Sequence, residues 1–109
     1  MNVTLIGYGS GNVASVRFAL ERLGARVRIT DDPADVAEAE RIILPGVGAA
    51  GYAMQRLQAL DLIEPLRRFP RPLLGVCLGQ QLLFDASAED GGADLLGLIP
   101  GRVAAILPA

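Results

Sequence analysis

The chain holds a single cysteine, Cys77, set between Gly75 and Gly79. That is the G-x-nucleophile-x-G pattern of a nucleophile elbow, with a thiol where hydrolases usually carry a hydroxyl. The residues before it, Arg71-Pro-Leu-Leu, read as a buried strand, and Leu78, Leu82 and Leu83 after it read as the core face of a helix. A side chain on so tight a strand-to-helix turn needs close backbone approach on both sides, which glycine allows and a Cβ would obstruct. The N–H groups and positive dipole end of the following helix would favour thiolate over thiol. A lone cysteine is often only a small buried hydrophobe. The flanking glycines and the strand–turn–helix context favour catalysis.

The rest of the chemistry can be sought around that thiol. A carboxamide attacked by Cys77 becomes an oxyanion, which needs preorganised donors. In an elbow, one donor is the N–H of the residue after the nucleophile, here Leu78. A second must come from a neighbouring strand-end loop. Pro45-Gly-Val-Gly48 is such a loop, and Gly48 is the expected donor. Loss of one donor of this kind typically costs about 2.7–4 kcal/mol of transition-state stabilisation. Gln81 lies four residues after Cys77, where a helix would place it on the same face beside a bound substrate. Gln80 reads as a solvated amide.

The base is the difficulty. A cysteine nucleophile is usually deprotonated by histidine, and the 109 residues contain none. Either the elbow is idle, or its base lies outside these residues. Lysine is absent too, which excludes a P-loop and a Schiff-base lysine.

The elements that must position these residues alternate between strand and helix. Asn2–Ile6 is a strand, Gly7-Tyr-Gly-Ser-Gly11 a glycine loop, and Asn12 an N-cap. Val13, Val16, Leu20 and Leu23 follow at helical spacing up to Gly24. Strands are expected at Arg26–Ile29 and Arg41–Leu44, with a short helical piece at about residues 34–39 between them. Ala53, Leu57 and Leu60 mark one helix. Asp61 and Glu64 resemble a capping box opening another, with Leu62, Leu66 and Phe69 buried. Glu89–Gly92 reads as a turn and Arg102–Leu107 as a last strand.

Such alternation predicts an α/β domain with a mainly parallel sheet and helices on both faces. Sites in these sheets form beyond the carboxyl ends of the strands. The loops Gly7–Gly11 and Pro45–Gly48 and the elbow at Cys77 should therefore meet on one edge.

Composition sets outer limits. Hydrophobic residues make up 51%, too many for a disordered chain. No apolar run approaches the ~18 residues of a membrane span, and no basic signal-peptide start is present. A net charge of −2 without a basic cluster argues against nucleic acid as a partner. One cysteine forms no internal disulfide, so a cytoplasmic protein is expected.

The opening loop offers a rival reading. Gly7-x-Gly9-x-Gly11 after a strand, with Asp31 following the next one, resembles a dinucleotide-binding Rossmann fingerprint. The G-x-G-x-x-G pattern requires glycine at residue 12, where the chain has asparagine.

Taken together, the motifs resemble a known family. Gly75-Val-Cys-Leu-Gly-Gln-Gln81 is similar to the G-x-C-x-G-x-Q signature of the class I, triad-type, glutamine amidotransferases, whose fold is flavodoxin-like. Ile6-Gly-Tyr-Gly-Ser-Gly-Asn12 and Pro45-Gly-Val-Gly48 further resemble its branch serving imidazole glycerol phosphate synthase in histidine biosynthesis. The resemblance runs from residue 2 to about residue 103. It implies that Cys77 attacks glutamine and that Gly48 and Leu78 hold the oxyanion. It also implies that Gln81 contacts substrate and that ammonia passes to a (β/α)8-barrel cyclase subunit in a heterodimer. No metal or organic cofactor is implied. The family usually carries aspartate where this chain has Gly7. Its members are about twice as long, with the catalytic histidine and glutamate in the second half. Residues 1–109 thus correspond to the N-terminal part of one amidotransferase domain, expected to be marginally stable and inactive alone. A non-catalytic remnant that only binds the barrel partner is the other reading the missing histidine allows.

Overall fold

A computed structural model describes residues 1–106 of the chain. Four strands form one wholly parallel sheet: β1 (Asn2–Ile6), β2 (Arg26–Thr30), β3 (Ile42–Leu44) and β4 (Leu73–Gly75), in the order β2-β1-β3-β4. The helices between them are α1 (Val13–Arg22), α2 (Pro33–Glu38), α3 (Ala50–Ala59) and α4 (Ile63–Arg67). The one-turn helix α5 (Leu78–Gln81) follows β4. This is the parallel α/β architecture that the alternation predicts, and it is consistent with the flavodoxin-like fold that the family resemblance implies.

Period-two alternation along each strand divides the core into two layers. Val3, Leu5 and Ile43 point to one face, where Val13, Val16 and Leu20 of α1 pack on them. Ile6, Ile42 and Leu44 point to the other, against Val36 of α2, Ala53 and Leu57 of α3, Leu66 of α4 and Leu78 of α5. The second layer is the deeper one: α1 has no fully buried residue, and Leu23, expected in its core stripe, is 84% exposed.

Both long helices stop by the same device. After α1, Gly24 takes φ +88° while the N–H groups of Gly24 and Ala25 bond the carbonyls of Glu21 and Leu20. After α3, Asp61 takes φ +58° while Asp61 and Leu62 bond Gln58 and Leu57. Each is a Schellman motif, which satisfies the last free carbonyls of the helix. Asp61 therefore ends α3 and does not cap α4. The expected capping box does not form; Leu62 is the N-cap of α4, with no side-chain hydrogen bond. Glu64 pairs with Arg67 and Arg68 instead.

The region after the elbow differs most from expectation. Leu82 and Leu83 are buried as predicted, but in turns beyond the single turn of α5. A small second sheet of β5 (Ala86–Ser87), β6 (Ala93–Asp94) and β7 (Arg102–Val103) follows, in the order β6-β5-β7. Two-residue strands carry no readable alternation, so β5 and β6 were not expected. The strand predicted over Arg102–Leu107 ends at Val103, and Leu107 lies outside the described residues. Arg67 ties this region to the main body by donating from Nε to the Leu96 carbonyl at 2.9 Å and from Nη2 to the Leu95 carbonyl at 3.1 Å. No helix among the described residues is long and apolar enough to cross a membrane.

Candidate active site

β4 delivers the chain to Cys77, and the turn there is sharp. Cys77 has φ 55° and ψ −125°, one of two non-glycine residues with positive φ among those described. Such a conformation costs about 1–3 kcal/mol and persists only where its surroundings enforce it. Here the enforcement is steric. A Cβ on Gly79 would run into the Leu44 carbonyl oxygen and come within 2.7 Å of the Leu44 carbonyl carbon. A Cβ on Gly75 would meet Gln80 Cα at 2.5 Å. The elbow is thus pressed onto β3 at one glycine and folded onto itself at the other. Cys77 is left exposed at its apex.

The three strand-end loops do converge. A Cβ on Gly11 would sit 3.0 Å from Gly46 N, and one on Gly46 would sit 2.8 Å from the Tyr8 hydroxyl and 3.1 Å from Leu78 Cβ. The first loop therefore touches the second, and the second touches the elbow, as the carboxyl-edge rule predicts.

The hydrogen bonds of this edge correct the expected thiolate environment. Val76 N–H donates to Leu44 O and Leu78 N–H to Gly46 O, both at 3.0 Å. The β3–β4 ladder thus continues past the strand ends and takes up the N–H group read as the first oxyanion donor. Gly79 N–H bonds Val76 O, and Gln80 N–H bonds Cys77 O. The opening N–H groups of α5 are engaged, and a single turn has little dipole to offer.

The second loop is similarly occupied. Val47 N–H donates to Ser10 Oγ at 3.1 Å, and Ser10 Oγ donates to Val47 O at 3.0 Å. Gly48 is exposed, with φ +84° and open space around its α-carbon. Its N–H has no acceptor among the described residues. Gln81 is half-buried at the end of α5, and Gln80 is exposed. Because Cys77 precedes the helix in a non-helical conformation, the regular one-face spacing from Cys77 to Gln81 does not apply.

Two residues that sequence reasoning passed over belong to this edge. Tyr8 is fully buried, and its hydroxyl donates to the Pro45 carbonyl at 2.6 Å. Burial pushes its phenol above the ordinary value of 10.0, with the nearby Ser10 hydroxyl pulling the other way. Ser10 is 5% exposed. An aromatic residue inside a glycine loop was the available signal. The chain has no histidine to complete the site. Among the described residues no cluster of three or more His, Cys, Asp or Glu could hold a metal.

Residues 4–100 match the family described as Glutamine amidotransferase class-I. The chain belongs to this family. It is 54% identical over 108 residues to the imidazole glycerol phosphate synthase subunit HisH of Xanthomonas axonopodis pv. citri, covering 99% of this chain and 54% of that one. The HisH subunit of Xylella fastidiosa is 52% identical over 107 residues, covering 98% and 53%. That of Idiomarina loihiensis is 52% identical over 102 residues, covering 94% and 52%. The chain spans about half the length of the curated relatives it matches.

Membership in the amidotransferase family displaces the dinucleotide reading, and the packing gives the reason. Gly9 and Gly11 allow the first loop to lie against Arg56 and the Pro45–Gly46 turn, respectively. Arg56 Nε also donates to Tyr8 O at 3.1 Å. The glycines serve loop-on-loop contact. At Gly7, a Cβ would meet the Ile29 side chain at 2.8 Å, so Ile29 fills the space beside the position where the family usually has aspartate.

Proposed function

We propose that this chain supplies the nucleophile half of a glutaminase site serving imidazole glycerol phosphate synthase in histidine biosynthesis. Cys77 Sγ attacks the side-chain carbonyl carbon of glutamine, and the carbonyl oxygen becomes the oxyanion. The tetrahedral intermediate collapses with loss of ammonia to a glutamyl thioester. Water then hydrolyses the thioester to glutamate and the free thiol. A base takes the thiol proton and returns one to the leaving nitrogen. That base, a histidine held by a glutamate, comes from residues outside these 109. Gln81 contacts the glutamine, and Gly48 contributes an oxyanion donor. Leu78 contributes the other once its bond to Gly46 O is released. The ammonia passes to a (β/α)8-barrel cyclase subunit paired with this one in the cytoplasm.

The observation that carries this reading is the strained, exposed Cys77 between two glycines whose replacement would collide with backbone. Absence of histidine keeps one alternative in view, a partner-binding chain without catalysis. The test is ammonia release from glutamine by two proteins: this chain alone, and this chain joined to the remaining part of the Xanthomonas relative. The joined protein should turn over at the 1 s⁻¹ or more ordinary for enzymes, roughly, and lose activity with Cys77→Ala. Comparable turnover by the 109-residue chain alone would overturn the claim that the base lies elsewhere. An inactive joined protein that still binds the barrel subunit would favour the non-catalytic reading.

A further inference from the structure

The edge of the sheet opposite Cys77 carries a groove that the chemistry proposed above does not use. It has a volume of about 320 Å³ and lies between the first residues of β1 and β2 and the end of α2. Period-two alternation puts Asn2 and Thr4 of β1 and Arg26 and Arg28 of β2 on the face that α2 covers. The register sets Asn2 beside Arg26 and Thr4 beside Arg28. Glu38, the last residue of α2, and Glu40 belong to the other wall. That wall is held in place by Arg71, which donates from Nε to Ala39 O at 2.6 Å and from Nη2 to Ala37 O at 2.7 Å.

The groove holds unused polar groups of both signs. Thr4 is only 6% exposed, and its hydroxyl bonds no other group among the described residues. Every fully enclosed side-chain polar atom there does have a partner, so the Thr4 hydroxyl opens into the groove. Arg28 is committed to Asp35 at 3.1 Å and Glu40 to Arg41 at 3.4 Å. Arg26 and Glu38 enter no ion pair among the described residues, with each other or with any other group. They line one groove yet stand too far apart to bridge it. α2 also ends on the Glu38 carboxylate with no basic residue in its last turn, the reverse of the arrangement that stabilises a helix C-terminus. A cation is wanted at that end and an anion at the other.

We propose that this groove binds a small zwitterion, a free α-amino acid, with its carboxylate on Arg26, its ammonium on Glu38 and the Thr4 hydroxyl donating to the carboxylate between them. The charges of the lining side chains cancel, two guanidinium groups against two carboxylates. A ligand with both signs and no net charge matches them better than a simple anion does. A free α-amino acid carries its two charges on one carbon, so a single molecule meets both walls.

The experiment titrates the full chain, labelled with ¹⁵N, with L-serine and follows the backbone amide shifts. L-Glutamine is not the probe, because the glutaminase reading places it at Cys77, and the groove does not depend on that reading. Saturable shifts are expected at Thr4, Arg26, Arg28 and Glu40, with Val76 and Leu78 unmoved. The dissociation constant should be about 1–10 mM, since exposed charge pairs are individually weak. Acetate and methylamine, each half of the zwitterion, should bind at least about tenfold more weakly at the same ionic strength. Arg26→Gln and Glu38→Gln should each weaken L-serine by about three- to fivefold, and Thr4→Val by about tenfold. Arg26 and Glu38 are exposed and unpaired among the described residues. Their variants should therefore keep the urea midpoint of the unsubstituted chain, which separates lost binding from lost folding. No saturable shift up to about 50 mM, acetate bound as tightly as L-serine, or full affinity in the Arg26 and Glu38 variants would overturn the proposal.

Discussion

Replacing Gly79 with alanine should damage this fold more than any comparable glycine substitution away from the elbow. The added Cβ would stand 2.7 Å from the Leu44 carbonyl carbon and 3.1 Å from that of Pro45. Carbon atoms rest at about 3.5–4.0 Å, so the elbow must retreat from β3 by at least about 0.8 Å to clear that carbon, and further to clear the nearer Leu44 carbonyl oxygen. β3 cannot give way: it is the third strand of four, and Ile42, Ile43 and Leu44 are all buried. Overpacking of this kind costs about 1–3 kcal/mol, occasionally more. The retreat also stretches the bonds from Val76 to Leu44 and from Leu78 to Gly46, each worth about 1 kcal/mol. The expected loss is therefore about 3–5 kcal/mol, a large part of the 5–15 kcal/mol typical of a domain. Two controls isolate the cause. Gly51, in the first turn of α3, has nothing within 4 Å of an added Cβ, and Gly51→Ala should stabilise by about 0.5 kcal/mol. Gly48 also has open space but carries φ +84°, so Gly48→Ala should cost about 1–2 kcal/mol of backbone strain alone. Urea unfolding followed by circular dichroism ranks the three. At a slope of about 2 kcal/mol per molar urea, Gly79→Ala should lower the midpoint by about 1.5 M or more. A Gly79→Ala protein no less stable than Gly48→Ala would refute the steric account of the elbow.

Other substitutions test the supports around the site. Tyr8→Phe leaves the Pro45 carbonyl without its donor and should cost about 1–2 kcal/mol at neutral pH. Burial raises the Tyr8 phenol above 10.0, so the fold favours its protonated form. That contribution is complete below pH 10.0 and is lost as pH rises through the raised value, at up to about 1.4 kcal/mol per pH unit. Urea midpoints taken from neutral pH into alkali should fall more gently in Tyr8→Phe; parallel curves would count against this assignment. Asn12 caps α1 by accepting from Ser15 N–H at 3.3 Å, and Asn12→Ala should cost about 1 kcal/mol in a thermal or urea melt. Arg67→Lys cannot reproduce two donors on the Leu95 and Leu96 carbonyls. It should cost about 1–2 kcal/mol and speed amide exchange in β5 and β6 before the main sheet.

The elements legible in the sequence were those whose signals are local. β1 was bounded correctly because its β-branched run meets a glycine loop on one side and the chain start on the other. Gly24 announced the end of α1 because glycine is the usual occupant of a left-handed C-terminal position. Asp61 performs the same task after α3 but was read as an N-cap, since aspartate serves both ends and only the backbone distinguishes them. The glycines of the elbow were legible because their purpose is to lack a side chain. The engaged state of Leu78 N–H was not, because it depends on the orientation of one peptide at Gly46, in a loop far earlier in the chain. Tyr8 and Ser10 were overlooked for the same reason: their partners, Pro45 and Val47, are each 37 residues away. β5 and β6 are held by pairing with distant segments and by Arg67, and two-residue strands leave no pattern of their own.

The most direct test of the central claim is the mass of the Cys77 peptide after treatment with a glutamine-analogue electrophile. It should be made on this chain joined to the remaining part of the Xanthomonas relative, with and without excess glutamine. The account predicts one adduct per chain, on Cys77, that glutamine suppresses and asparagine does not. A Cys77 that stays unmodified, or that reacts equally with and without glutamine, would contradict it.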